Sequence, residues 1–248
     1  MTKRVALITG VCGGIGRAAA ALFRLSGWYV VGIDQVENPS NIDVDEFVRA
    51  NVGMDGEVDR IASTLTHISH IDALINNAAI QINQPLVNTS DDQWTQIMNV
   101  NVRAAFQMIR AFHTHLTACS GAIVNVSSVH AVATSQNVAI YAVSKGALVA
   151  LTRSAALELA TDGIRCNAVL PGAVLTPMLL NGLARRPHER GPDGNLDELI
   201  HRTPLGFVAT PEQIAPTILH LADSRMSPYT TGQMVIVDGG ATIRLGTE

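Results

Sequence analysis

Short, solidly apolar runs alternate along this chain with longer stretches whose apolar residues recur at every third or fourth position. The first kind reads as strands buried on both faces, the second as helices packed through one stripe. Strand-like runs occupy residues 4–9 (RVALIT), 28–33 (WYVVGI), 71–76 (IDALIN), 121–127 (GAIVNVS), 164–170 (IRCNAVL) and 234–237. Helical spacing covers 14–26, through Ile15, Ala18, Ala19, Leu22 and Phe23, and 55–69, through Val58, Ile61, Ala62 and Leu65. Residues 91–118 predict one long helix with Ser90 as its N-cap. Residues 139–160 predict a long apolar helix, and 211–222 a helix opened by Pro211. Gly27, Asp34, Pro171-Gly172 and Asp238-Gly239-Gly240 punctuate the ends of these segments. Alternation from end to end predicts an α/β fold: one doubly wound domain over residues 1–248, with a parallel sheet covered by helices on both faces. One stretch breaks the rhythm. Residues 181–195 (NGLARRPHERGPDGN) are polar and contain Gly and Pro, which predicts a mobile loop inside a lid-like region around 176–205.

Composition narrows the function classes. The chain has 17 Lys plus Arg against 21 Asp plus Glu, a net charge of −4, so the basic excess of a nucleic-acid binder is missing. No window approaches the ~18–20 apolar residues of a membrane span. The apolar run after Lys3 and Arg4 resembles a secretory leader, but Gly10, Gly13, Gly14, Gly16 and Arg17 interrupt it, and it reads better as strand, turn and helix. Three widely spaced cysteines (Cys12, Cys119, Cys166) form no disulfide framework, and a reducing cytoplasm is the expected location. The pairs His67/His70 and His113/His115 lack companions at ligand spacing, so no metal is expected. Only 15% of residues are charged, against ~25% in average soluble domains. That deficit predicts surface hidden against copies of the chain, a homotetramer or homodimer. The candidate faces are the long helices from Asp91 and Ala139, the second carrying Ala147, Leu148, Ala150, Leu151, Ala155, Ala156 and Leu159 over more than one face.

Candidate chemistry lies at two places. Gly10, Gly13, Gly14 and Gly16 fall between the first strand and the first helix, where a tight turn lets a cofactor backbone approach and a helix N-terminus offers free N–H groups to a pyrophosphate. Asp34 ends the second strand, where a carboxylate accepts from both ribose hydroxyls and repels a 2′-phosphate; with neutral Gln35 beside it, the site predicts NAD over NADP. Further along, Tyr141 and Lys145 share one helix face, and an ammonium beside a phenol favours the phenolate. Ser128, at a strand end upstream, offers a hydroxyl to a carbonyl oxygen, and Asn101 is a polar residue inside a helix that asks for a partner.

Together these elements resemble the short-chain dehydrogenase/reductase family over essentially the whole chain. The resemblance rests on Thr9-Gly10, Gly14-Ile15-Gly16, Asn76-Asn77-Ala78-Ala79, Asn101, Ser128, Tyr141, Lys145, Pro171-Gly172 and Thr176, in the family's order and spacing. It implies a seven-stranded sheet of order 3-2-1-4-5-6-7 and an NAD-dependent oxidoreductase acting on a CH–OH group. Tyr141 would be the acid–base, Lys145 would lower its pKa and hold the nicotinamide ribose, and Ser128 would polarise the substrate oxygen. Asn101 would support a proton-carrying water chain, and Asn77 would stabilise the central strand beside the cofactor. Ile15, Asn51, Val52, Ala78, Pro171, Gly172, Val174 and Thr176 would complete the cofactor contacts. Three positions depart from the family's pattern: Ala79 where Gly is usual, Asn51 where Asp commonly meets adenine, and Gly13 where NADP-dependent members often carry a base.

The substrate is a small molecule whose polar wall is expected from Gln81, Asn83, His130 and Gln136, suiting a sugar, polyol or other hydroxylated compound. Arg185, Arg186, His188 and Arg190 could steer an anionic substrate, or form a solvated basic loop. Two alternatives stand beside this reading. A 3-oxoacyl-carrier-protein reductase typically carries arginines where this chain has Gln81-Ile82-Asn83 and Ala156-Leu157-Glu158, and a catalytically silent NAD-binding regulator leaves Ser128, Tyr141 and Lys145 without a role.

Overall fold

Strands buried on both faces need helices on both, and the chain supplies them. The computed structural model describes residues 3–37, 39–40, 42–185 and 187–244. Strands β1 (Val5–Thr9), β2 (Tyr29–Asp34), β3 (Glu46–Arg49), β4 (Ala73–Asn76), β5 (Ala122–Val126), β6 (Arg165–Pro171) and β7 (Met234–Val237) form one sheet of order β3-β2-β1-β4-β5-β6-β7. Every pairing is parallel. Side chains alternate across the sheet, so β1 sends Val5 and Leu7 into one core and Ala6 and Ile8 into the other. The first core closes with Ile61 of α2 (Glu57–Thr64), Met108 of α4 (Ala104–Ala111) and Ala155 of α6 (Ala139–Glu158). The second closes with Ala19 and Phe23 of α1 (Gly14–Leu25) and Ile214 and Ile218 of α9 (Pro211–Ala222). The sheet's direction of growth reverses at β1, which lies between β2 and β4, and there a crevice opens at the strands' carboxyl ends.

Three expectations are corrected. The strand pattern omits β3, whose sequence EFVR buries only Val48; an edge strand with charged ends carries too little apolar signal to stand out. The helix expected over 91–118 is broken. α3 (Asp91–Met98) starts on Ser90, whose side chain accepts from Gln93 N–H, with Gln93 reaching back to the Ser90 N–H. The turn at Asn99–Arg103 then widens, with Ala104 N–H donating to Asn99 O. α4 follows, and α5 (His113–Thr117) finishes the segment. One extra residue in a turn barely disturbs apolar spacing, so the pattern does not reveal it. The loop expected over 181–195 is mostly helical: α7 (Pro177–Ala184) and α8 (Gly191–Arg202). Thr176 caps α7 by accepting from Leu179 N–H, Pro177 opens it, and buried Asn195 of α8 donates to Leu183 O of α7 at 3.1 Å. Among the described residues, no helix is long and apolar enough to cross a membrane, and no His/Cys/Asp/Glu group could hold a metal.

A buried polar chain ties the sheet to α6. Asn76 Nδ2 donates to Asn125 Oδ1 at 2.9 Å, Asn125 Nδ2 donates to Thr152 Oγ1 at 2.9 Å, and Thr152 Oγ1 donates to Leu148 O at 2.8 Å. Thr152→Val keeps the shape but strips Asn125 Nδ2 of its oxygen acceptor, so urea denaturation should show a loss of about 1–3 kcal/mol.

Candidate active site

The crevice holds a cavity of about 1360 Å³, larger than the ~300–1,000 Å³ usual for one small ligand. Its first wall is the turn after β1. Gly10 has φ +67°, and a Cβ there would lie 2.7 Å from Ala78 Cα. A Cβ on Gly14 would lie 2.7 Å from Thr176 Cγ2, and one on Gly16 would lie 2.2 Å from Gly10 O. Backbone this close at Gly10 and Gly16 permits only glycine, and at Gly14 a side chain would have to displace Thr176. Helix α1 begins at this turn with no side-chain cap and no acidic residue in its first turn, leaving its N–H groups for an anion. The cradle therefore fits a dinucleotide pyrophosphate.

Asp34 lines the same cavity at the end of β2. Its Oδ2 accepts Cys12 N–H at 2.9 Å and its Oδ1 accepts Val36 N–H at 3.2 Å, which fixes the carboxylate on the cavity. Asn51 and Val52 line the cavity beyond it; Asn51 Oδ1 is turned back onto Gly53 N–H at 3.1 Å. Asn77 Nδ2 donates to the carbonyls of Thr9 and Gly10, both at 3.0 Å. Ile15, Ala78, Pro171, Gly172, Val174 and Thr176 also reach the wall. Gly16 does not; it supports the turn from behind.

The chemical end lies where β5 meets α6. Ser128 follows β5 in extended backbone, and its Oγ accepts His130 N–H at 3.2 Å. The Ser128 hydroxyl is close enough to the Tyr141 hydroxyl to pull its pKa down. Lys145 Nζ lies 5.6 Å from the Tyr141 ring centroid and donates to Val126 O at 2.9 Å. All three side chains are buried except where they face the cavity. Here the sequence expectation is corrected. The sequence predicts that the ammonium pulls the phenol down. Instead burial pushes Tyr141 up to about 12, against the pull of Ser128, and burial lowers Lys145 to about 7. Removal from water penalises the charged form of each group.

Asn101 reaches this centre only indirectly. Its Oδ1 accepts Ile80 N–H at 2.9 Å, while its Nδ2 donates to Ile80 O at 2.9 Å and Ser144 Oγ at 3.0 Å. Ser144 Oγ in turn donates to Tyr141 O at 2.7 Å. Asn101 thus has the partner its mid-helix position asks for, and it lies off the cavity wall. Sequence reasoning missed Ser144 and also Ser127, whose Oγ donates to Lys145 O at 2.9 Å. Both are polar residues at otherwise apolar positions, which is the signal that marks them.

The expected substrate residues share the cavity beyond Tyr141. His130 sets its ring edge-on to Tyr141, with centroids 5.7 Å apart and Nδ1 3.1 Å from Thr134 Oγ1, and burial lowers its pKa. Gln81 donates to Asn83 Oδ1 at 2.7 Å, and Gln136 is exposed on the rim. Helices α7 and α8 close the opposite side.

A phosphate cradle joined to a Ser–Tyr–Lys centre defines a dinucleotide-dependent oxidoreductase, and comparison with known proteins agrees. The family model described as enoyl-(acyl carrier protein) reductase matches residues 10–242. The 3-oxoacyl-(acyl-carrier-protein) reductase FabG of Thermotoga maritima is 33% identical over 97% of this chain and 98% of its own length. L-xylulose reductase of Mus musculus is 34% identical, over 97% of both chains. The ligand-free aldohexose dehydrogenase of Thermoplasma acidophilum superposes with a TM-score of 0.92 at 27% identity, covering 99% of this chain and 96% of that one. The chain belongs to the short-chain dehydrogenase/reductase family. It is therefore an oxidoreductase of the alcohol/carbonyl class that works with a nicotinamide cofactor.

The buried lysine gives this site a pH signature. Its pKa falls from 10.5 to about 7 on folding, so between those values the unfolded chain binds a proton that the folded chain does not. Stability must rise with pH across that window, by at most ~1.4 kcal/mol per pH unit. Tyr141, raised from 10.0, acts in the opposite sense only above pH 10. Lys145→Met should flatten the rise between pH 7 and 10, as measured by urea midpoints of the cofactor-free protein; parallel wild-type and variant curves would contradict the burial effect.

Proposed function

We propose that the chain is an NAD-dependent oxidoreductase that interconverts a secondary alcohol and a ketone on a sugar, polyol or other hydroxylated small molecule. The convergence of Ser128, Tyr141 and Lys145 beside the glycine cradle carries this reading. The bound dinucleotide would supply the hydride acceptor or donor. Gly10, Gly14 and Ile15 would hold its pyrophosphate, Asp34 its adenosine ribose, Asn51 and Val52 its adenine, and Asn77 and Ala78 the neighbouring strand. Tyr141 and Lys145 would hold the nicotinamide ribose, with Pro171, Gly172, Val174 and Thr176 covering the ring. Ser128 orients the substrate oxygen by donating to it. Tyr141, held protonated at neutral pH, gives its proton to the oxygen when a ketone is reduced; in the reverse direction the phenol must first lose that proton before it can accept the one from the alcohol. Lys145 changes charge near neutrality, so it can pass that proton onward from behind the phenol. Asn101 holds Tyr141 in place through Ser144, and α7 and α8 cover the substrate.

The polar wall of Gln81, His130 and Gln136 supports a hydroxylated substrate, as do the sugar-directed relatives. Exposed Trp94, Phe106, Val143 and Leu157 on α3, α4 and α6 support association into a homotetramer or homodimer, and three free cysteines a reducing cytoplasm. The similarity to FabG of Thermotoga maritima favours a second reading, reduction of a 3-oxoacyl thioester.

Tyr141→Phe should lower kcat by about 10²–10⁴-fold with cofactor affinity kept, measured by NADH fluorescence and turnover of sugars, polyols, secondary alcohols and 3-oxoacyl thioesters. Unchanged turnover would remove Tyr141 from the chemistry. NAD should be preferred over NADP, and Asp34→Ser should narrow that preference by about tenfold, since it removes the charge facing a 2′-phosphate. Wild-type preference for NADP in steady-state kinetics would overturn the assignment.

A further inference from the structure

We propose that the substrate end of the cavity holds an anion subsite built by Arg185 and Arg202, so that the hydroxylated molecule reacting beside Tyr141 carries a carboxylate or phosphate at its far end. The inference deepens the oxidoreductase reading and rests on it.

Charge is unevenly placed along the cavity lining. The chain has 21 acidic and 17 basic residues, so carboxylates are not scarce. Among the described residues lining the cavity, Asp34 is nevertheless the sole carboxylate, and it sits at the cofactor end, on the last residue of β2. The lining cations are Lys145, Arg185 and Arg202. Lys145 is committed to Val126 O beside the reacting centre. The two arginines come from the helices that close the substrate end: Arg185 follows α7 and Arg202 ends α8.

Neither guanidinium is saturated. Arg185 is exposed, and its side chain meets no partner among the described residues. Arg202 Nη2 lies 3.4 Å from Glu198 Oε1, with the two side chains 68% and 43% exposed. Such a pair within one exposed helix is weak, and it occupies one of the five N–H donors of the fork. A planar fork of donors matches carboxylate and phosphate oxygens in a way that a lone ammonium does not. Gln81, Asn83 and Gln136 of the same cavity lining are polar but uncharged. Uncharged amides suit hydroxyls, and two cations with no neighbouring wall carboxylate suit an anion. The combination describes a sugar acid, hydroxy acid or polyol phosphate better than a neutral polyol. Two cations at the mouth would also draw an anion inward, an attraction that salt screens.

The test compares aldonates and alditol phosphates with neutral alditols of the same carbon number. In wild-type protein, kcat/KM for at least one anionic series should exceed that for the alditols by about tenfold or more, and the advantage should shrink as NaCl is raised. In the double variant Arg185→Ala/Arg202→Ala, the ratio of anion to alditol kcat/KM should fall by about tenfold, expressed in KM rather than kcat, as expected for a group that binds without touching the reacting atoms. The Lys/Lys double variant should recover part of the ratio, and an unchanged NADH titration verifies that both variants fold. Carboxylate and phosphate arms decide which anion the pair receives. Equal use of alditols and both anions, or a ratio unchanged by the double variant, overturns the subsite while leaving the oxidoreductase reading intact. No turnover in any series, or turnover that survives Tyr141→Phe, overturns both.

Discussion

The whole site depends on how two neighbouring parallel strands are allowed to part. Past the ends of β1 and β4, backbone groups lose their ladder partners at the place where a crevice has to open. Thr9 and Asn77 replace them. Thr9 Oγ1 accepts the N–H groups of Asn77 and Ala78 at 3.0 and 3.1 Å, and Asn77 Nδ2 returns donors to the carbonyls of Thr9 and Gly10. Each of these groups, buried and unpaired, would cost about 1–3 kcal/mol. The exchange holds Gly10 against Ala78 and Gly16 against Gly10, and so aims the free N-terminus of α1 into the crevice. The phosphate cradle follows from solving the strand-end problem with side chains instead of water.

The chemical end applies the same economy of polar groups to catalysis. Every polar atom that positions Tyr141 or Lys145 is itself held by a backbone group: Lys145 Nζ by Val126 O, Ser127 Oγ by Lys145 O, and Ser144 Oγ by Tyr141 O. The widened turn at Asn99–Arg103 places Asn101 where it can clamp Ile80 and Ser144 together. Burial then sets the protonation states, holding a phenol neutral and bringing an amine's charge change near neutral pH. Two groups whose solution pKa values lie close are driven far apart in opposite roles.

Much of this was legible in the sequence. The central strands are solidly apolar, and their punctuation by Gly, Asp and Pro placed the glycine turn, Asp34, Ser128 and the Tyr141–Lys145 helix correctly. What escaped was subtler. β3 lies at an edge where one buried residue, Val48, suffices. The widened turn changes hydrogen bonding without changing which residues are apolar. The polar stretch after Leu180 looked like a loop, yet its helices form through Thr176 at one start and the Asn195–Leu183 tie between them. Arg185 belongs to a basic run that the sequence reads as either a solvated loop or an anion guide, and the fold sets it and Arg202 on the lining of one cavity.

By itself the sequence determined the six solidly apolar strands, the helices beginning near Gly14, Ala139 and Pro211, the glycine turn with its carboxylate, and the positions of Ser128, Tyr141 and Lys145, because apolar periodicity and turn chemistry act between residues close along the chain. Only the tertiary structure decided that Asn101 is tied to Tyr141 through Ser144, that burial raises the phenol, and that Arg185 and Arg202 line one cavity. Desolvation and charge are properties of a place, and a place is built by residues far apart in sequence. Val126, Lys145 and Tyr141 meet because β5 and α6 pack together, and no local pattern records what water has left.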